Sequence, residues 1–157
     1  MNEKELKDAT CQLLKVCARI PMINSVDHPD HTALPEAVGV YAIWEAANLM
    51  YVGYAGTSRR SRPTAICGLK DRIGSHWGGT LFSSSLALRI WLHRIAPTLE
   101  KEDHLEVASG GRDPSAETRA YIRHKLKYSI VVTANATDAR ALERYVHRAH
   151  TPTLNNL

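Results

Sequence analysis

Side chains able to do chemistry recur at regular intervals in this 157-residue chain. Tyr41 and Tyr51 sit in the phrases GVY and YVG, ten positions apart within GVYAIWEAANLMYVG, in a chain with only six tyrosines. A phenol, with its ordinary pKa near 10, serves as a base only where positive charge lies close enough to lower it. Arg72 and His76 are four residues apart in GLKDRIGSHW, the interval that puts two side chains on one helix face. Arg59, Arg60 and Arg62 crowd one short segment, and Arg119 and Arg123 another. Glu143, His147 and His150 follow at i, i+4 and i+7, a spacing able to ligate zinc, although HExxH is absent and no fourth ligand is evident. Asp27, His28, Asp30 and His31 form a second metal-capable group in a proline-bearing loop, where exposed turn residues are the simpler reading.

The elements that must position these residues follow from periodicity. Leu6, Ala9, Leu13, Val16, Cys17 and Ile20 predict an amphipathic helix closed by Pro21. Val40, Ala42 and Trp44 alternate with Tyr41 and Ile43, and LMYVG follows a short turn, so the two runs predict a β-hairpin whose register decides whether the tyrosines share a face. YAGTSRRSRPTAICG reads as a loop, and Leu69, Ile73 and Trp77 mark one side of the next helix. Leu88, Trp91, Leu92 and Ile95 predict a core-facing helix, HLEVA a short strand, and YSIVVT a buried strand. A last helix, capped at Thr137 or Asp138, carries the stripe Leu142, Tyr145, Val146 and Ala149.

Composition bounds the class. Hydrophobic residues make up 44% of the chain and charged ones 23%, which fits a folded domain and not a disordered segment. A net charge of +4 is compatible with a phosphate-bearing partner. Three cysteines without ligand or redox spacing point to reduced thiols, and the acidic NEKELKD start lacks a signal-peptide pattern, so a cytoplasmic protein with no membrane span is expected.

In order along the chain, GVY at 39–41, YVG at 51–53, Arg72, Glu143 and Asn155 resemble the GIY-YIG nuclease family. The resemblance implies a small α+β fold with a mixed, mainly antiparallel sheet and an N-terminal β-hairpin flanked by helices. Residues 1–33 would be an N-terminal helix and linker, and 34–157 the nuclease domain with an insert at about 78–127. It implies a metal-dependent endonuclease that hydrolyses DNA, with RNA left open, by a one-metal mechanism using Mg2+ or Mn2+. Tyr41 would be the base, with Tyr51 assisting or positioning water. Arg72 would neutralise the scissile phosphate, His76 would contact the phosphate or relay a proton, Glu143 would hold the metal, and Asn155 would orient the metal shell or brace the site.

These residue types suit the chemistry. Phosphodiester hydrolysis requires a water to be deprotonated, growing phosphoryl charge to be neutralised and the leaving oxygen to be stabilised. Arginine offers two parallel donors and stays charged, and magnesium needs just one or two protein carboxylates. One departure stands out: many members have lysine after YIG, where this chain has Tyr54, so the missing cation would come from elsewhere, with Arg59, Arg60 and Arg62 as backbone contacts. One site per chain cuts one strand, so a double-strand break needs a homodimer or a monomer nicking twice. The rivals are an inactive nucleic-acid-binding module of the same fold and a zinc hydrolase on the last helix. Each residue also has an ordinary alternative: strand tyrosines over a core, a solvated helix edge for Glu143, and a solvated loop for RRSRP.

Overall fold

A computed structural model describes residues 1–22, 34–59 and 62–155. The Asp27–His31 group and Arg60 lie outside the described residues. The first strand, β1 (Ile20–Pro21), is short, and β2 (Gly39–Glu45) and β3 (Asn48–Ala55) form the hairpin expected from alternation. With β6 (Leu126–Val132) they make a four-stranded sheet of order β1-β6-β2-β3, in which every pairing is antiparallel. β4 (Thr57–Arg59) and β5 (Arg62–Cys67) pair separately. Among the described residues six α-helices accompany them: α1 (Glu3–Leu14), α2 (Leu69–Trp77), α3 (Ser85–Ile90), α4 (Lys101–Ser109), α5 (Pro114–Lys125) and α6 (Ala136–His150). The class is α+β. No described helix is long and apolar enough to cross a membrane.

The period-2 pattern of β2 gives the sheet two apolar faces, so helices must cover both. Tyr41 and Ile43 point into a cluster with Leu69, Ile73 and Trp77 of α2, Leu86 and Ile90 of α3, and Ile122 of α5. Val40, Ala42 and Trp44 point the other way, against Leu13 of α1 and Ala139, Leu142 and Val146 of α6. The N-terminal helix is thus part of this second core. Trp44 Nε1 donates to Ser129 Oγ at 3.0 Å, and Ser129 Oγ donates to the Leu13 carbonyl at 2.5 Å, which pins the end of α1 to the central strands.

Two glycines of the paired phrases have steric reasons. A Cβ on Gly39 would lie 2.4 Å from the Val131 carbonyl of neighbouring β6, and one on Gly53 would lie 2.4 Å from Tyr41 Oη.

Several sequence expectations need correction. The segment after Ala55 is a second hairpin, because its β-branched residues Thr57, Thr64 and Ile66 alternate around the arginine tip. HLEVA lies inside α4: Glu100 and Asp103 form a reciprocal capping box, and Gly110 ends the helix at φ +80°. The cap of α6 is Asn135, whose side chain accepts from the Asp138 N–H, so the helix starts earlier than Thr137. α1 stops at Leu14, and Val16 and Cys17 are exposed as the chain turns to lay Ile20 beside Tyr128. Beyond α3 the helix widens into a π turn at Trp91–Ile95, which shifts its phase. Trp91 and Ile95 are buried but Leu92 is 50% exposed. On α6 the buried stripe is Ala139, Leu142 and Val146, leaving Tyr145 half-buried and Ala149 exposed.

Candidate active site

The β2–β3 register answers the question of the tyrosines. Tyr41 pairs with Gly53 and Ile43 with Tyr51, so the two phenols lie diagonally on one face with ring centroids 6.2 Å apart. They open onto a cavity of about 360 Å³ at the edge of the sheet, where helices from opposite layers meet. Arg72, Ser75 and His76 enter it from α2, Ser84 and Ser85 from the start of α3, and Glu143 from α6. Five of the six residues expected to be catalytic therefore line one cavity.

His76 is the buried hub. Its Nε2 lies 2.8 Å from Tyr41 Oη and its Nδ1 2.8 Å from Ser84 Oγ. Burial first, and then the Arg72 charge, push its pKa down to about 3, so the imidazole is neutral. Ser84 Oγ also accepts from the Ala87 N–H at 3.2 Å as the cap of α3. The imidazole thus bridges two hydroxyls, and its tautomer sets which of them donates to the ring and which accepts from it.

Tyr41 itself corrects an expectation. Full burial, and secondarily Tyr51, raise its pKa well above 10, while Arg72 acts in the lowering direction but more weakly. In the protein alone Tyr41 is a neutral phenol. Burial likewise raises Glu143, with His147, Arg140, Arg144 and Arg72 opposing it in that order. Tyr51 Oη approaches Ser85 Oγ at 3.5 Å.

Two groups in this cavity lack a hydrogen-bond partner among the described residues. Arg72 Nε is buried with no acceptor there, and the Glu143 carboxylate accepts no hydrogen bond and makes no close ion pair there. Such groups are costly unless something else satisfies them. A half-buried carboxylate with free oxygens suits a hard, oxygen-seeking divalent cation, and the neighbouring guanidinium suits an anion. Glu143, His147 and His150 do not converge into a three-ligand group among the described residues, and His147 Nε2 instead lies 3.3 Å from the Val52 carbonyl.

The remaining expected residues fall elsewhere. Tyr54 reaches the cavity, and its hydroxyl accepts from Arg140 at 2.8 Å. Arg140, not among the expected site residues, brings a cation to the position after YVG. Its signal was the interval of three residues before Glu143, which places both on one helix face. Ser84 was overlooked, and its only mark is a serine ahead of an apolar run. Asn155 lies outside the cavity: Oδ1 accepts from the Val52 N–H at 2.6 Å and Nδ2 donates to the Val52 carbonyl at 2.9 Å, so it braces β3 and has no free oxygen for a metal shell. Arg59 and Arg62 are register partners at the tip of the β4–β5 hairpin.

No protein-family model matches this chain, and no curated protein matches it.

Proposed function

We propose that this cavity hydrolyses phosphodiester bonds of DNA with the help of Mg2+ or Mn2+, making the chain an endonuclease. The observation that carries the reading is the pairing, in one cavity with Tyr41 and His76, of a guanidinium nitrogen at Arg72 and a carboxylate at Glu143 that have no hydrogen-bond partner among the described residues. The first fits a phosphate oxygen and the second a divalent cation. The order of GVY, YVG, Arg72 and Glu143, which resembles the GIY-YIG family, supports the same reading.

Each side chain has a defined task. Arg72 donates to the non-bridging oxygens of the scissile phosphate, and Arg140, tethered to Tyr54, adds a second positive charge beside it. Glu143 holds the cation, and a single carboxylate fits one ion better than two. When bound, the cation supplies Lewis-acid neutralisation of the phosphate and leaving oxygen. Tyr41 takes the proton of the attacking water at Oη, for which it must be ionised. The charge of Arg72 favours the phenolate, and burial opposes it. Tyr51, beside Ser85, positions the water.

The test is incubation of wild type and Glu143→Ala with supercoiled plasmid, branched DNA and RNA across Mg2+, Mn2+, Zn2+ and chelator. Nicking that requires Mg2+ or Mn2+ and disappears in the variant is expected. Equal cleavage by both proteins, or activity only with Zn2+, would overturn the reading.

A further inference from the structure

A larger cavity, about 610 Å³, lies at the junction of α5 and β6 and has a different character. Arg119, Arg123, His124 and Lys125 of α5, with Lys127 of β6, line it, and no acidic residue among the described residues does. Basic residues in the last turn of a helix ordinarily offset its negative end, which accounts for Arg123, His124 and Lys125. It does not account for Arg119, higher on the helix, or for Lys127 on the strand.

Nor is the charge neutralised among the described residues. Burial, and then Arg119, disfavour the charged form of Arg123, and Arg123 Nε is buried without a hydrogen-bond partner. The nearest acidic residue along α5, Glu117, is held by Arg112, and Asp113 caps the helix. Cations gathered in a concavity with no counter-charge concentrate positive potential and attract an anion.

The groove is joined rigidly to the candidate active site. Arg119 Nε donates to the Gly78 carbonyl at 2.9 Å, just past the end of α2. Gly79 lies so close that a Cβ there would stand 2.7 Å from Arg119 Cα. Arg72 lies six residues before Gly78, about 9 Å along a helix axis.

We propose that this groove is a second contact site for nucleic acid, gripping the sugar-phosphate backbone away from the bond held at Arg72. The choice of a nucleic acid among polyanions rests on the endonuclease reading, while the groove's demand for an extended anion does not.

The test measures binding apart from cleavage. In a Glu143→Ala background, anisotropy of a labelled duplex of about 20 base pairs is followed from about 50 to 300 mM KCl, with and without Arg123→Gln/Lys125→Gln/Lys127→Gln. Loss of three phosphate contacts should flatten the plot of log affinity against log salt by about 2.7, and weaken binding at least about tenfold at low salt. Should Arg123→Gln disturb folding, the exposed pair Lys125→Gln/Lys127→Gln should still flatten the slope by about 1.8. An unchanged slope and affinity, or no duplex binding by the parent, would overturn the proposal. A groove-dependent slope in a chain that never cuts would leave the groove standing and remove the nuclease. Metal-dependent cutting with binding indifferent to the groove would do the reverse.

Discussion

Substituting Gly53 by alanine tests the site through its most confined atom. The new Cβ would stand 2.4 Å from Tyr41 Oη and 2.6 Å from Tyr41 Cζ, against an ordinary contact of 3.4 Å or more, so the ring must retreat by about 0.8–1.0 Å. Neither side yields easily. Gly53 lies in β3, whose neighbour Val52 is clamped by Asn155, and the Tyr41 ring is fully buried and bonded to His76 at 2.8 Å. A retreat of that size shifts Tyr41 Oη from the position in which it meets His76 Nε2 at 2.8 Å. Overpacking of this kind costs about 1–3 kcal/mol, and an ångström of misplacement at a reacting group costs about 10²-fold in rate. Gly74 is the matched control: a Cβ there meets nothing within 4 Å, so Gly74→Ala, inside α2, should stabilise by about 0.5–1 kcal/mol and leave cleavage unchanged. Thermal unfolding and plasmid-nicking rates in Mg2+ read both effects. Wild-type nicking and stability in Gly53→Ala would refute the claim that Tyr41 works from this position.

Three further outcomes follow from the same geometry. Burial raises Glu143 above its ordinary 4.5, so its contribution to stability is fullest below that pH and is lost as pH rises through the folded value. Glu143→Gln should therefore melt higher than wild type at about pH 7, lose that advantage near about pH 4 and lose metal-dependent cleavage, as calorimetry and nicking assays would show. The raised phenol of Tyr41 ionises only in alkali, so the logarithm of the cleavage rate should climb about one unit per pH unit from about 7 to 9, and Tyr41→Phe should abolish that limb. A plateau by about pH 7.5 at saturating metal would show that another group is the base. Ser84→Ala removes the cap of α3 and the partner of His76 Nδ1, so it should cost about 1 kcal/mol and slow cleavage by freeing the imidazole that holds Tyr41 Oη. Ser84→Thr should restore both.

What could be read in advance was whatever depends on short-range period. Alternation in β2 assigned Tyr41 and Ile43 to one face, and the four-residue repeat of Leu69, Ile73 and Trp77 placed Arg72 and His76 together, because burial on one side is all that either pattern records. The β4–β5 hairpin was missed because its polar tip outweighed a short β-branched signal. α4 was missed because its capping box begins with glutamate instead of the usual serine or threonine. Long-range partners leave no local trace: nothing near Ser84 announces His76 as its partner, and nothing near Tyr54 announces Arg140, 86 residues away. The sign of the Tyr41 shift was equally hidden, since it reflects how deeply β2 is enclosed between two helical layers.

The chain's end closes an otherwise open flank of the sheet. The N–H groups of Thr153 and Leu154 donate to the Leu49 and Met50 carbonyls, and the Asn155 amide imitates one more strand residue opposite Val52. Only an amide can do this, because it presents an acceptor and a donor together. Slow deamidation of Asn155 to aspartate would set a carboxylate oxygen against the Val52 carbonyl with no proton between them, and would loosen the plug from the strand. Stored protein would then lose its shield against sticking to other copies, so clouding of old preparations would trace to one ageing asparagine.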